Sequence, residues 1–243
     1  YGASPIPLEL MREAITKIGC GFVQMYGMTE SGGTIVALSP EDHLPDSDDE
    51  KAILRMRSVG KAMLGVEIKI IDQQGKNVPN GEIGEIATRS VKNINEYWNL
   101  PEATKAAIDY NGWLRTGDAG YLDHDGYLYM HDRVKDMIIS GGENVYPAEV
   151  EDAIYSHPHV EDVAVVGVPD EKWGEAIKAF VVAKEDTNVS ADDIIQFART
   201  RIAKFKCPKS IDFIDLLPRN MSGKILRREL REPYWKDKDR EVN

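Results

Sequence analysis

The feature that most constrains the fold is a change in hydrophobic pattern near residue 132. Before it, apolar and polar residues alternate in short stretches separated by Gly, Asn and Asp, which is typical of strands joined by turns. The stretches lie at 66–71, 82–88, 120–122 and 127–130. They predict a β-rich, barrel-like unit.

After residue 132 the pattern becomes an alternation of helix and strand. Helical spacing is found at 147–155 and again after Ser190, whose hydroxyl can cap a helix at Asp193. Three apolar stretches predict strands, at 163–168, 177–183 and 211–216. We expect a small α+β domain here, so the whole chain has a mixed α/β fold class.

The charged segment 132–136 (Asp-Arg-Val-Lys-Asp) separates the two patterns. Domain boundaries fall in polar segments of this kind, which few contacts cross. We therefore predict that 1–131 is the C-terminal part of a larger domain, that 132–136 is a hinge, and that 137–243 is a small, mobile C-terminal domain.

The first fifty residues predict a helix, a strand and a loop. Apolar residues at helical spacing indicate an amphipathic helix at 7–18. The apolar stretch 22–25 reads as a buried strand that ends in the polar group 26–30, at the strand edge where α/β proteins place ligands. The acidic stretch 41–51 predicts a solvated loop.

Charge and composition exclude several classes of protein. A net charge of −11 argues against a nucleic-acid-binding scaffold, which needs a basic face. Two cysteines are too few for a secreted disulfide scaffold, so a reducing, cytoplasmic location is expected. No apolar run reaches the roughly 20 residues that span a bilayer. Because the chain opens on Tyr1 in what reads as a strand end, we expect it to be a portion of a longer protein.

Four motifs occur in an order that is informative as a set. They are Tyr26-Gly27-Met28-Thr29-Glu30, Leu114-Arg115-Thr116-Gly117-Asp118, Asp132-Arg133-Val134-Lys135-Asp136 running on to Tyr146-Pro147, and Pro218-Arg219-Asn220-Met221-Ser222-Gly223-Lys224. In this order they resemble the adenylate-forming (AMP-binding) superfamily. The octapeptide Ser140-Gly141-Gly142-Glu143-Asn144-Val145-Tyr146-Pro147 is most similar to its fatty-acyl-CoA synthetase branch.

The resemblance implies an acyl-CoA synthetase that works in two steps. A carboxylic acid, expected to be a fatty acid, reacts with ATP to give acyl-adenylate and pyrophosphate, and coenzyme A then displaces AMP. ATP, Mg²⁺ and coenzyme A are the implied cofactors and co-substrates. No nucleic-acid partner and no transmembrane segment are expected, and a homodimer is left open.

In the first part of the chain, the resemblance assigns nucleotide contacts to Tyr26, which would stack on adenine, and to Asp118, which would accept both ribose hydroxyls. Thr29 would contact phosphate and Glu30 would hold Mg²⁺, and both count as catalytic. Gly27, with Gly2 and Ala3 near the adenine and acyl pockets, completes the set. Taken alone, Tyr26 is a core residue and Asp118 a turn residue.

In the second part, the resemblance makes Lys224 the catalytic lysine of adenylation. Arg133 would contact the nucleotide, and Lys135 would be the pivot about which the C-terminal domain turns between the half-reactions. Gly141 and Gly142 would line the tunnel for the pantetheine of coenzyme A. A P-loop at Ser222-Gly223-Lys224 is excluded, since the upstream Gly and the following Ser or Thr are missing.

Two other functions remain open. The chain could belong to an adenylation domain that loads a carrier protein, or it could be a noncatalytic AMP-binding or interaction module. The second is motivated by the phosphate loop and main acid pocket, which in the superfamily lie upstream of the motifs found here. For that reason we expect this chain alone to be inactive in adenylation.

Overall fold

The computed structural model describes residues 1–2, 6, 8–44, 47–221 and 223–236. The chain divides into two compact units, Tyr1–Met130 and His131–Asn243. The division falls just before the segment 132–136. That this segment is a hinge remains a prediction.

The first unit opens with helix α1 (Leu8–Ile18), so the helix predicted at 7–18 is confirmed over its described length. Its apolar face buries Met11, which is fully covered. The helix ends at Gly19, which adopts a φ of 70° and donates its N–H to the carbonyl of Ile15. Pro7 lies outside the described residues.

A three-stranded antiparallel sheet follows, with strands β1 (Gln24–Met28), β2 (Gly33–Leu38) and β3 (Lys61–Ala62) in that order. The strand predicted at 22–25 is therefore placed too early. Tyr26 and Gly27 lie inside β1 rather than beyond its end, because β2 pairs with them across a bulge. A Cβ on Gly27 would collide with the carbonyl of Gly33, so only glycine allows this pairing.

A second sheet of four strands completes the unit, in the order β4 (Glu67–Ile71), β5 (Gly84–Arg89), β6 (Leu114–Leu122) and β7 (Leu128–Arg133). All four predicted strands are present, although β6 is much longer than expected. The β-rich expectation is confirmed. Within the described residues the sheet runs from β4 to β7 without closing on itself, and Leu128 of β7 pairs with Gly60 just before β3.

Two helices in this unit were not predicted. Helix α2 (Glu50–Arg55) begins where the side chain of Asp49 accepts from the N–H of Lys51, so the solvated loop predicted at 41–51 ends two residues short of its expected bound. Helix α3 (Pro101–Ala107) begins with a proline at its first position.

The second unit is built on a sheet with the path β10–β11–β8–β9. Its elements are β8 (Ile138–Ser140), β9 (Glu143–Val145), α4 (Pro147–Tyr155), β10 (Val160–Asp170), β11 (Gly174–Ala183), α5 (Ala191–Arg199), β12 (Ser210–Phe213) and α6 (Arg227–Trp235). Strand β12 pairs in parallel with β11, whereas β10 pairs with it antiparallel. The predicted small α+β architecture is confirmed.

Both faces of this sheet are covered. Val163 and Val165 face the cluster formed with α4 and α5, while Ala164 and Val166 face the cluster that includes Leu230 of α6. Strands buried on both faces appear in the sequence as nearly continuous apolar runs. The polar helix α6, with Pro233 inside it, was not predicted.

Within the described residues, no helix combines the length and the apolar character that crossing a membrane requires.

Candidate functional site

Tyr26 and Asp118 are joined by a hydrogen bond. The Tyr26 hydroxyl donates to Oδ2 of Asp118 at 2.8 Å, across 92 residues of chain. Tyr26 is only 9% exposed and its ring packs with Val36 and Leu128 in the core of the first unit. The ring of Tyr26 is therefore a core side chain in this structure, and its hydroxyl orients the carboxylate to which the resemblance assigns ribose binding.

The backbone around Asp118 presents that carboxylate on an irregular part of β6. Gly117 has a φ of 73°, and the pairing of β5 with β6 shifts register between Glu85 and Ala87. The N–H of Asp118 donates to the hydroxyl of Thr116 at 3.1 Å. Tyr26 thus orients the carboxylate of Asp118 and Thr116 fixes its backbone, and a carboxylate has two oxygens that can accept hydroxyl groups.

Thr29 and Glu30 lie in a short 3-10 turn that directly follows β1. The buried hydroxyl of Ser31 fixes this turn: it accepts from the N–H of Met28 at 3.1 Å and lies within donating distance of the carbonyls of Met28 and Gly33. Thr29 is exposed, as a phosphate contact requires. The turn thus presents its hydroxyl to solvent on a rigid support.

Glu30 is held by residues that follow β5. Its carbonyl accepts from the N–H of Ile94 at 2.8 Å, and its carboxylate accepts from the hydroxyl of Tyr97 at 3.1 Å. Burial, and then the bond to Glu30, raise the pKa of Tyr97, so the phenol stays protonated and remains a donor. Sequence reasoning missed Tyr97, since nothing local marks it as a partner of Glu30.

The residues present fit a magnesium ion that arrives with a nucleotide. In the described ranges no group of three or more His, Cys, Asp or Glu side chains could hold a metal ion alone. Mg²⁺ is commonly bound by one or two carboxylates together with phosphate oxygens and water. Glu30, oriented by Tyr97, matches that mode.

Gly2 pairs with Met25 as a bridge parallel to β1. A Cβ at Gly2 would collide with the carbonyl oxygen of Met25, so the close approach of the two backbones requires glycine. Ala3, assigned to the same pocket, lies outside the described residues.

In the second unit, the predicted hinge segment is anchored through its two aspartates. Asp132 accepts from the N–H of Ala148 at 3.1 Å and lies 3.7 Å from a guanidinium nitrogen of Arg227. Asp136 lies 3.6 Å from Arg231, one turn further along α6. Arg133 and Lys135 alternate with these aspartates and are exposed.

Arg227 also neutralises a second buried carboxylate. It forms a forked contact with Glu151 of α4, at 2.7 Å for the closer pair of atoms. The other side of that carboxylate accepts from the N–H of Val165 at 2.8 Å. Burial raises the pKa of both Glu151 and Asp132. One guanidinium therefore ties α6 to α4 and to the segment 132–136.

Gly141 and Gly142 form the turn between β8 and β9, with φ values of 64° and 86°. The N–H of Gly141 donates to the carbonyl of Trp173 at 2.9 Å. A Cβ on Gly141 would lie 2.6 Å from the indole ring, so glycine is what lets Trp173 cover this turn. Trp173 therefore packs on the turn to which the resemblance assigns the thiol tunnel.

Trp173 is 40% exposed, which is unusual for so large an apolar side chain. Two ammonium groups lie over its ring, those of Lys172 at 4.7 Å and Lys209 at 5.7 Å from the centroid. An aromatic face flanked by cations suits a ligand with a base and phosphates. The sequence signal was a tryptophan between lysine and glycine, which motif reasoning passed over.

Lys224 lies in an exposed turn before α6. Arg219 and Ile225 pair across the base of this turn. The backbone N–H and carbonyl of Lys224 both bond to Asn220, through its side chain and its N–H respectively, at 2.9 Å each. The main chain of Lys224 is therefore well defined although its side chain reaches into solvent.

Comparison with known proteins gives two family matches. Residues 1–98 match the family described as AMP-binding enzyme, and residues 149–224 match the AMP-binding enzyme C-terminal domain. The two matches follow one another along the chain in the order in which the motifs were found.

Characterised relatives cover nearly all of this chain. A fatty acid–[acyl-carrier-protein] ligase, ScoC of Streptomyces coeruleorubidus, is 45% identical over 100% of this chain and 46% of its own length. The long-chain-fatty-acid–CoA ligase FadD13 of Mycobacterium tuberculosis is 45% identical over 96% of this chain and 44% of its own. The chain thus spans less than half the length of these relatives.

A solved structure supports the same assignment. The o-succinylbenzoate CoA synthetase of Bacillus subtilis, in complex with its acyl-adenylate intermediate, matches with a TM-score of 0.83 and 42% identity, over 94% of this chain and 44% of that one. The chain therefore belongs to the AMP-binding enzyme family and carries sequence of both its AMP-binding domain and its C-terminal domain.

Proposed function

We propose that this chain is the C-terminal half of an ATP-dependent, AMP-forming ligase that converts a fatty acid to its coenzyme A thioester. The observation that carries the proposal is the bond between Tyr26 and Asp118, which joins the assigned adenine and ribose contacts in one rigid pair. The relatives support it, since both sequence relatives described above are named as fatty acid ligases.

In the first half-reaction, a carboxylate oxygen of the acid attacks the α-phosphorus of ATP and pyrophosphate leaves. Asp118 accepts the ribose hydroxyls, while Glu30 and Thr29 engage the phosphates of MgATP. Mg²⁺ supplies neutralisation of phosphate charge. The ammonium of Lys224 reduces the repulsion between the acid and the nucleotide as they approach, and Arg133 contacts the nucleotide.

In the second half-reaction, the thiol of coenzyme A attacks the carbonyl carbon of the acyl-adenylate, AMP leaves, and the thiol proton passes to solvent. We propose that the chain has three parts with different roles. Residues 1–131 form the end of the large domain, 132–136 form the hinge, and 137–243 form the mobile domain. Rotation about Lys135 then withdraws Lys224 and brings Gly141 and Gly142 to the thiol. Hinges of a few residues are a common means of such a change.

Pyrophosphate exchange tests the proposal. We expect the full-length ligase that contains this chain to exchange pyrophosphate into ATP in the presence of long- or medium-chain fatty acids. Residues 1–243 alone should give no exchange. Exchange with aromatic acids only would redirect the substrate assignment, and absence of exchange with every acid would favour a noncatalytic AMP-binding module.

Replacing Tyr26 with phenylalanine is expected to weaken ATP binding by about fivefold, which corresponds to about 1 kcal/mol of binding free energy, because Asp118 loses the hydroxyl that orients it toward the ribose. Equilibrium binding of a nonhydrolysable ATP analogue measures it. Tyr127→Phe is the matched control, since that hydroxyl also donates to an aspartate, Asp42, at 2.8 Å. Equal weakening in both variants would contradict a nucleotide role for the Tyr26–Asp118 pair.

A carrier protein is the second candidate acceptor, because the relative ScoC is named as an acyl-carrier-protein ligase. The two acceptors share a pantetheine arm, but only coenzyme A has a nucleotide. We infer that Trp173, with Lys172 and Lys209 over its ring, takes the adenine and phosphates of coenzyme A. That set of groups favours coenzyme A.

Replacing Trp173 with alanine is therefore expected to raise the KM for coenzyme A by about tenfold, since stacking of an aromatic side chain on a base is worth about 1–3 kcal/mol. The KM for a phosphopantetheine fragment should not change. Trp98→Ala removes another exposed tryptophan and serves as the control. If acyl carrier protein is loaded faster than coenzyme A and Trp173→Ala leaves both KM values unchanged, the acceptor is a carrier protein.

A further inference from the structure

The side chain of Arg219 links the turn that carries Lys224 to the sheet of the second unit, next to Ile225, which packs against the same sheet. Arg219 extends one guanidinium nitrogen to the carbonyl of Gly223 at 2.6 Å and the other to Oδ2 of Asp162 at 2.7 Å. The first bond lies next to Lys224 in the chain, and the second reaches β10. The planar fork of arginine can make both at once, whereas the single ammonium of a lysine cannot reproduce that geometry.

Asp162 is a firm attachment point. It lies where the register of β10 against β11 shifts, and its Oδ1 accepts from the N–H of Val163 at 3.0 Å. Val163 is buried in the core between the sheet and helices α4 and α5. Displacement of Asp162 would therefore disturb packed residues, which resist small shifts.

The bridge contributes little to the stability of the fold. The Arg219 and Asp162 side chains are 40% and 27% exposed, and ion pairs of that exposure are strongly screened by water. Its effect on the position of Gly223, and through it of Lys224, does not depend on that energy. Stability and orientation can thus be separated by experiment.

We propose that Arg219 is a positioning residue for adenylation, which holds the Lys224 turn at a defined place on β10 by bridging Gly223 and Asp162. The proposal rests on the role assigned to Lys224 above. Without the bridge, the turn keeps its internal bonds through Asn220 and the packing of Ile225, but the carbonyl of Gly223 beside Lys224 loses its link to β10 and can shift. A displacement of about 1 Å in a group that acts on the transition state can cost about 10²-fold in rate.

Four variants of the full-length ligase test this role: Arg219→Ala, Arg219→Lys, Asp162→Asn and the reference Lys224→Ala. Adenylation is measured by pyrophosphate exchange, thioester formation by supplying acyl-adenylate and coenzyme A, and folding by Tm. Arg219→Ala should lower the kcat of adenylation by about 10- to 100-fold and leave thioester formation and Tm unchanged. Arg219→Lys and Asp162→Asn each keep part of the bridge, so each should lower the kcat of adenylation less than Arg219→Ala does.

A matched control and a double-mutant cycle sharpen the test. Arg201→Ala removes another exposed arginine, one that stacks on Phe197, and should change neither half-reaction. Asp162→Ala added to Arg219→Ala should cost little more than Arg219→Ala alone, because both remove the same bridge.

The outcomes distinguish this proposal from the one on which it rests. If Lys224→Ala lowers adenylation and Arg219→Ala does not, the positioning role is wrong. If Arg219→Ala lowers both half-reactions equally, or lowers Tm, Arg219 serves the fold instead. If Lys224→Ala leaves adenylation intact, the proposed function itself fails.

Discussion

Lys224→Ala is expected to lower the rate of acyl-adenylate formation by about 10²- to 10³-fold, the usual cost of removing one preorganised charge or donor from a transition state. Thioester formation from supplied acyl-adenylate should be largely spared, because in the proposed cycle the lysine has left the site by then. The exposed position of Lys224 on a fixed turn agrees with a side chain that enters a site and leaves it.

Single-turnover measurements of the two half-reactions check this prediction separately. Lys204→Ala, which removes another exposed lysine of the second unit, is the control and should affect neither step. An equal loss in both half-reactions would show that Lys224 acts on the fold or on coenzyme A rather than on adenylation.

Arg227→Met is expected to lower the free energy of unfolding of the second unit by about 3 kcal/mol, because removing one partner of a buried ion pair leaves the other charge uncompensated. In this case two buried carboxylates, Asp132 and Glu151, lose their guanidinium together. Urea unfolding of the chain, with amide hydrogen exchange to identify the second unit, measures the change.

The neighbouring residue provides the control for that variant. Arg228 lies in the same helix but is exposed, so Arg228→Met should change the free energy of unfolding by no more than about 0.5 kcal/mol. Comparable losses in both variants would mean that helix α6, rather than the buried ion pairs, is what the substitutions weaken.

The pH dependence of Arg227→Met has a definite sign. Burial raises the pKa of Asp132 and Glu151 in the folded protein, so the folded state binds these protons more tightly than the unfolded state does. Such groups favour the fold at low pH, and that contribution is lost as pH rises through the folded pKa. Without Arg227 the pKa values should rise further.

The stability difference between wild type and Arg227→Met should therefore narrow as pH falls from 8 toward the ordinary carboxyl pKa of about 4. Urea unfolding at several pH values measures it. If the difference in the free energy of unfolding stays constant over this pH range, protonation of Asp132 and Glu151 does not restore stability to the variant.

The sequence by itself determined the elements whose signals are local. Helix α4 was predicted with its correct bounds, because Pro147 favours a first helical position and apolar residues follow at helical spacing. Helix α5 was predicted from Ser190, and Ser190 and Asp193 do form a reciprocal capping box. These signals act within one turn of helix, so no distant residue is needed to read them.

Only the tertiary structure decided the extent of the strands and the existence of α6. Strand β6 runs through Thr116, Gly117 and Asp118, residues that suggest a turn, because β5 pairs with both of its ends. Helix α6 is polar and contains Pro233, yet Arg227 binds buried carboxylates and Leu230 packs on the sheet. Packing and long-range pairing override weak local propensity in both.

The same division applies to the candidate site. The roles of Tyr26, Glu30, Asp118 and Lys224 were implied by the resemblance of four ordered motifs to the AMP-binding superfamily, and each of those motifs is a short local segment. The contacts that orient them were decided by the fold: Tyr26 meets Asp118, Glu30 meets Tyr97, and Arg219 bridges Gly223 and Asp162. Three of these four contacts join residues more than fifty positions apart, and only packing of the whole unit brings such residues within bonding distance.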